Sequence, residues 1–222
     1  MPTYKLQFEL LSAATFGRGD GVAGLVDREV ERDAYGLPFL RGRTLKGLLA
    51  EECANILYAV DKQGKGELWR PVAYALFGRP GSMHDDLGQM RVSDARLPES
   101  LRESIEIALQ DKEKMLTSDD VLESLTAIRR QTSMDEYGAP ERGSLRSMRV
   151  VLPGAIFEAQ LEFAQSPDEH SLALLAACVL AWRRAGTGRN RGRGKLFASL
   201  HGPSGEDITE ANYRIFAQEV TR

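Results

Sequence analysis

The chain has 222 residues and a formal net charge of -3, with 42% hydrophobic and 27% charged residues, which is ordinary globular composition. Its longest apolar stretch, "LALLAACVLAW" at 172–182, has 11 residues against the roughly 20 that span a bilayer, and the N-terminus alternates polar and apolar residues instead of carrying a signal peptide. These features predict a cytoplasmic protein with no membrane partner, large enough to bury a core without staples.

"TYKLQFELLS" puts Tyr4, Leu6, Phe8 and Leu10 on one face and Lys5, Gln7 and Glu9 on the other, the period-two pattern of a half-buried strand. The glycine-rich segment "FGRGDGVAGLVDREVERDAYGLP" then runs to Pro38, longer than the loops that join elements without a function of their own. "RTLKGLLAEECANILYAV" follows with Leu45, Leu48, Leu49, Cys53, Ile56, Leu57 and Val60 at helical spacing, and Thr44 as its expected N-cap. "PVAYALFG" is read as a short helix opened by Pro71 and closed by Gly78, and "GQMRVSDAR" as a strand over 88–96.

Residues 98–130 carry helical spacing interrupted by the capping signal "TSDD", and have the look of a helical insertion. The stretch 131–151 has turn chemistry at Gly138, Ala139 and Pro140 and suits either a hairpin or an arm ordered on binding. "AIFEAQLEF" alternates strictly, a strand expected to pair with "SMRVV" across Pro153 and Gly154. Ser166 to Glu169 open a helix expected to continue to 185 and stop at Gly186. "GKLFASLH" is a last strand and "ITEANYRIFAQEV" a terminal helix. The order strand, helix, strand, strand, helix, strand predicts an α+β, ferredoxin-like fold, the split βαβ that RNA-recognition-motif domains share.

Charge is concentrated at two places. "GTGRNRGRGKL" at 186–196, with Arg183 and Arg184 just before it, holds Arg189, Arg191, Arg193 and Lys195 among glycines such as Gly188 and Gly192, with no acid. Glycines let backbone amides approach an anion and arginines fork onto phosphate oxygens; the same composition also suits a solvated loop after a glycine cap. "RGRTLKG" sets Arg41, Arg43 and Lys46 at a helix N-terminus, where cations oppose the helix dipole and so point to a phosphate partner, or to salt bridges with Glu29, Glu31 or Asp33. The economical expectation is one groove lined by both loops. Asp27 is a loop carboxylate suited to a hydrated magnesium ion beside a phosphate, as well as to a solvated turn.

His84, His170 and His201 are scattered, and no Ser-His-Asp order, Walker loop or zinc spacing occurs. Cys53 and Cys178 lie within apolar helical patterns and read as buried hydrophobes, as do Trp69 and Trp182.

At "GLPFLRGRTLKGLLAEE", "LFG" followed by "MRVSDARL", "TSMDEYGAPERGSLRSMRVVLPGAIFEAQLEF" and "GTGRNRGRGKL", in that order over nearly the whole length, the chain resembles the RAMP superfamily, and more narrowly the backbone subunits of type III CRISPR effector complexes. The resemblance implies one modified RNA-recognition-motif domain over 1–222, several copies stacked along a guide RNA beside other type III subunits, and a thumb that kinks the guide–target duplex. The thumb falls on about 131–146, with Thr132, Asp135, Arg142 and Arg146, after a helical insertion at about 98–130.

Family members that cut target RNA do so with a divalent metal and a loop aspartate upstream of a proline-glycine-serine-serine motif. Here that motif is Arg41-Gly42-Arg43-Thr44, and spacing places the aspartate on Asp27, with Asp33 in the same loop as the rival position. The resemblance thus implies guide and target RNA as partners, Mg2+ or another divalent cation held by Asp27, and RNA contacts from Arg18, Arg41, Arg43, Thr44, Lys46, Thr132, Arg142, Arg146, Gly188, Arg189, Arg191, Gly192, Arg193 and Lys195. A structural RNA-binding subunit without cleavage and a metal-independent guide-processing endoribonuclease are the alternatives.

Overall fold

A computed structural model describes residues 3–79, 88–111, 113, 115–141 and 143–221. Among these described residues six strands and six α-helices follow one another as β1 (Thr3–Leu10), α1 (Gly42–Asp61), α2 (Gly66–Phe77), β2 (Met90–Val92), α3 (Glu99–Gln110), α4 (Ser118–Leu125), β3 (Thr126–Gln131), β4 (Arg146–Val151), β5 (Ile156–Phe163), α5 (Glu169–Ala181), β6 (Leu196–His201) and α6 (Thr209–Thr221). Four strands form a sheet in the order β2-β5-β1-β6, with every neighbouring pair antiparallel. With α1 and α5 as crossovers, this is the ferredoxin-like order expected from the sequence.

The period-two pattern of β1 and β5 sends Leu6, Phe8, Leu10, Phe157, Ala159, Leu161 and Phe163 into the core, against α1 and α5. Phe8 stacks on Phe157 at 5.2 Å between centroids and meets Trp182 edge-on at 5.0 Å. Phe16, beyond the end of β1, joins the same cluster against Phe8 and Phe157, and so anchors the start of the long loop to the core. Burying an aromatic side chain of this kind contributes about 1.5–3 kcal/mol. Cys53 and Cys178 are buried in this core, as are Trp69 and Trp182. No helix among the described residues is long and apolar enough to cross a membrane.

Local signals hold where their partners are local. The "TSDD" signal is a complete capping box on α4: the Thr117 hydroxyl accepts from the Asp120 amide while the Asp120 carboxylate accepts from the Thr117 amide. Asp168 caps α5 by accepting from the Ser171 amide at 2.7 Å.

Several expected boundaries move. Helix α1 begins at Gly42, so Thr44 lies inside its first turn and does not cap it; the Gly42 amide is satisfied instead by Asp94 Oδ1 at 2.9 Å. A Cβ at Gly42 would meet the Val92 carbonyl at 2.2 Å, so glycine is required there by the close approach of the strand. Pro71 lies inside α2, which starts at Gly66. The strand expected over 88–96 is only Met90–Val92, and α5 ends at Ala181, where Trp182 leaves the helix and donates its indole N–H to the Arg184 carbonyl at 2.9 Å.

The largest difference concerns strand pairing. Residues 126–131 are strand β3, not helix, and β4 pairs with β3 rather than hairpinning onto β5. Pro153 and Gly154 carry the chain from this two-stranded ribbon into the core sheet, where the Gly154 amide donates to Leu10 at 2.7 Å. The ribbon closes through 132–145, where Asp135 Oδ1 accepts from the Tyr137 and Ala139 amides and Gly138 takes a positive φ of 77°. The stretch is therefore a hairpin.

Candidate RNA-binding groove

The long loop between β1 and α1 is extended chain pinned by main-chain bridges. Ala14 pairs with Val151 and Gly17 with Val30, so the loop runs out beside the ribbon and back. On the return, Arg28 bridges Met148 of β4 in parallel, while the Asp27 amide donates to the Ser147 carbonyl at 3.0 Å and the Arg149 amide to the Arg28 carbonyl at 3.0 Å. The Asp27 segment is thereby bridged onto the ribbon beside β4.

The glycine-rich segment after α5 meets the same place. Thr187 donates its amide to Thr15 at 3.0 Å, and Gly188 and Gly192, both left-handed, flank a single 3-10 turn at Arg189–Arg191. Gly194 has φ +64°, and a Cβ on it would collide with the Ala185 carbonyl at 1.8 Å, so no side chain fits where the loop folds back.

These three segments enclose a groove of about 630 Å³. Among the described residues its lining holds five arginines, Arg28, Arg146, Arg189, Arg191 and Arg193, of which Arg189 also pairs with Glu51 at 3.0 Å, and a single carboxylate, Asp27. Burial, with Arg129 and Arg191 as neighbours, lowers the Arg193 guanidinium below the usual arginine range, and it donates to Gln131 Oε1 at 2.8 Å and contacts the Met148 sulfur. A polyanion opposite would offset the mutual repulsion of these like charges.

Asp27 is exposed at the mouth of this groove. Its Oδ2 accepts the Ser147 amide at 2.6 Å and the Ser147 hydroxyl at 3.2 Å, while Oδ1 has no hydrogen bond among the described residues. The Ser147 amide is the main cause holding its carboxyl below the ordinary aspartate range, with the hydroxyl and the Arg146 charge adding to it. Asp33 is differently engaged. It accepts from the Tyr35 and Leu37 amides within its own turn and lies 3.5 Å from Arg96, so it is committed to the loop's structure.

Not all the sequence-predicted cations converge on the groove. Arg146, Gly188, Arg189, Arg191 and Arg193 line it, whereas Arg41, Arg43, Thr44 and Lys46 do not, so the expected single groove shared by both basic loops does not form. Arg41 pairs with Glu31 at 2.7 Å, and Lys46 turns under α1 to the Met90 carbonyl at 2.8 Å, its pKa lowered by burial. Arg43 and Thr44 are exposed on the first turn of α1, and Lys195 is exposed beside the groove. Arg18 is held by Asp20 at 2.7 Å, and Thr132 bonds Ser144 at 3.0 Å within the ribbon tip. Arg142 and His84 lie outside the described residues.

Arg28, Gln131 and Ser147 belong to the groove and escaped the sequence reading, because neither an isolated arginine nor a lone serine carries a local signal. The open face of the sheet offers no alternative stacking platform on its central strands, which present Lys5, Gln7, Glu9, Glu158, Gln160 and Glu162 there. Exposed aromatic and apolar side chains sit on strand β6, where Phe197 is 62% exposed, and on the ribbon tip, where Tyr137 is 87% exposed and Met134 64%.

The profile of the RAMP superfamily matches residues 7–197. The chain belongs to the RAMP superfamily. This RAMP fold has close parallels among solved structures. A chain of the type III-B Cmr-beta cryo-EM structure in the apo state superposes with a TM-score of 0.62 at 15% identity, covering 89% of this chain and 96% of that one. A chain of type III-B Cmr-beta bound to cognate target RNA gives 0.61 at 14% identity, with the same coverage. No curated protein matches the RAMP chain.

Among the described residues no three His, Cys, Asp or Glu side chains gather to cage a metal. A carboxylate with one oxygen outside any hydrogen bond among the described residues, beside an arginine-lined groove, still suits Mg2+, which is commonly held by one or two carboxylates together with substrate phosphates.

Proposed function

We propose that this chain is a guide-RNA-binding backbone subunit of a type III CRISPR interference complex, and that it cleaves complementary target RNA at regular intervals with Asp27 and a divalent metal. The observation that carries this reading is the placement of Asp27, among the described residues the only carboxylate lining a groove with five arginines, anchored by Ser147 through one oxygen while the other has no hydrogen bond there. Membership of the RAMP superfamily and the likeness to type III-B chains support the cellular setting. Its partners in this reading are guide RNA, target RNA, further copies of the chain and other type III subunits. The ribbon β3-β4 with its tip at 132–145 takes the part of the thumb.

In this reading Arg189, Arg191 and Arg193 hold RNA phosphates, with glycine-loop amides close to the backbone. Asp27 would hold Mg2+ or a related cation jointly with RNA phosphates, and the metal, when bound, supplies charge stabilisation for phosphodiester cleavage. Ser147 keeps the carboxylate ionised and fixes its direction. Arg146, adjacent to Ser147, is placed to take a phosphate flanking the reacting one.

The test is cleavage of a labelled complementary RNA by the guide-loaded complex, wild type beside Asp27→Ala, with magnesium and with a chelator. Regular cuts lost in both the variant and the chelated sample support the assignment. An intact target in every lane, with guide retained, leaves a structural RNA-binding subunit. A guide-processing endoribonuclease has less support: the described histidines lie elsewhere, His170 against Trp69 and His201 bonded to Ser199.

A further inference from the structure

We infer that the buried Glu29–Arg149 ion pair is a positioning device that makes the Asp27 segment part of the ribbon, so that the ribbon, rather than the core sheet, decides where Asp27 stands. This rests on the role proposed for Asp27. Glu29 and Arg149 are 3% and 5% exposed, and Arg149 Nε donates to Glu29 Oε1 at 2.9 Å. In extended chain, residues two apart face the same side. Asp27 and Glu29 therefore project together toward Ser147 and Arg149, making two rungs, one exposed and one buried.

Each rung is braced from the ribbon. Arg149 also donates to Thr126 Oγ1 of β3 at 3.2 Å, and the Thr126 hydroxyl donates to the Leu122 carbonyl of α4 at 2.6 Å. Glu29 Oε1 accepts the Val30 amide at 2.9 Å, and Thr15 donates its hydroxyl to the Arg149 carbonyl at 2.9 Å. The remaining main-chain bonds of 27–29 run to Asp20, Arg18 and β4, and none reaches β1, β5 or β6. Asp27 is thus carried by the ribbon.

The ion pair also fixes register. Sliding the segment by one residue would set Arg149 opposite Arg28 or Val30 and leave a buried charge without its partner, which is far costlier than an apolar mismatch. The exposed Asp27–Ser147 contact has no such penalty and cannot by itself prevent the slip. If the ribbon engages the guide–target duplex, the distance from that contact to the cut is built into the Glu29–Arg149 pair.

The variant that tests this removes both charges, Glu29→Gln with Arg149→Met, in the full chain. Assembled with guide, it is expected to retain RNA, to lose cleavage by about 10- to 100-fold, as for a misplacement near 1 Å, and to scatter the remaining cuts onto adjacent phosphates. Arg149→Lys, which keeps the charge, should restore part of the register. Cuts at the wild-type phosphates in the double variant would overturn the proposal, because a purely stabilising pair alters yield but not position.

Hydrogen exchange on the full chain supplies a readout that needs no cleavage. The Asp27 and Arg149 amides, which make the register bonds, should exchange about 10- to 100-fold faster in the double variant while Leu6 and Phe8 of β1 stay unchanged. Unchanged exchange at Asp27 and Arg149 would overturn the tether. A wild-type complex that never cuts would instead remove the role of Asp27, with the exchange result still deciding the coupling.

Discussion

Ser147 grips one oxygen of Asp27 twice, through its amide at 2.6 Å and its hydroxyl at 3.2 Å, across 120 residues of sequence. The other oxygen has no hydrogen bond among the described residues, and the arrangement separates what the carboxylate contributes from what its support contributes. Asp27→Ala is expected to reduce target cleavage by at least about 100-fold, the scale seen when one charge-stabilising group is removed. Ser147→Ala keeps the amide and removes the hydroxyl, which bonds the Asp27 carboxylate at 3.2 Å and has longer contacts with the Asp27 amide and the Leu25 carbonyl; taking the carboxylate bond as about 0.5–1.5 kcal/mol, cleavage should fall about 2- to 12-fold. Single-turnover rates with guide-loaded complexes measure both.

The pH dependence follows from the direction of the shifts. The Ser147 amide lowers Asp27, and the Ser171 hydroxyl and amide lower Asp168 at the start of α5. A depressed native value means that the unfolded chain takes up the proton first. Stability from these contacts is therefore complete above the ordinary aspartate value near 4 and is lost as pH falls through the native one. Asp168→Ala should cost about 1 kcal/mol at neutral pH, as for a lost N-cap, and progressively less in acid. Urea unfolding at pH 7 and pH 3 checks this, and Asp27 should stay ionised throughout the neutral range.

Salt dependence distinguishes groove cations from structural ones. Arg191 is exposed in the groove, and Arg191→Ala should lower the slope of log affinity against log salt for single-stranded RNA by about 0.7. Arg96, which stacks over Phe39 and pairs with Asp94 away from the groove, should leave that slope unchanged when replaced by alanine. Binding isotherms at several potassium chloride concentrations measure the difference.

The Glu29–Arg149 pair predicts a marked non-additivity in stability. Arg149→Met alone strands the buried Glu29 carboxylate beside the Val30 amide, and should cost about 3–5 kcal/mol. Adding Glu29→Gln removes the stranded charge and should recover most of that loss. Chemical denaturation of the four proteins of the double-mutant cycle gives the coupling directly.

Gly194 offers a backbone test. With φ +64° and the Ala185 carbonyl in the path of any Cβ, Gly194→Ala should destabilise the chain by more than about 1 kcal/mol and disturb the arginine loop it supports. Thermal unfolding measures the first effect and RNA affinity the second.

Hydrophobic periodicity is a local property, and the elements it defines were legible by themselves: β1, β5, α1, α5 and α6, the capping box at Thr117 and Asp120, and hence the ferredoxin-like order. The family was legible from its four motifs, and the arginine-glycine loop as a concentration of charge without acids. What the sequence could not determine is every choice made between distant partners. Strand β4 has the same residues to offer whether it pairs with β3 or β5, and only the sheet that closes around β1 settles which. Arg41 and Lys46 carry the same charge as Arg191, but Glu31 and the Met90 carbonyl take up the first two while Arg191 faces the groove. Asp27 and Asp33 are equivalent as loop carboxylates; the fold turns Asp33 onto its own amides and hands Asp27 to Ser147, because the return segment is laid in register on a ribbon that the sequence brings in only 120 residues later.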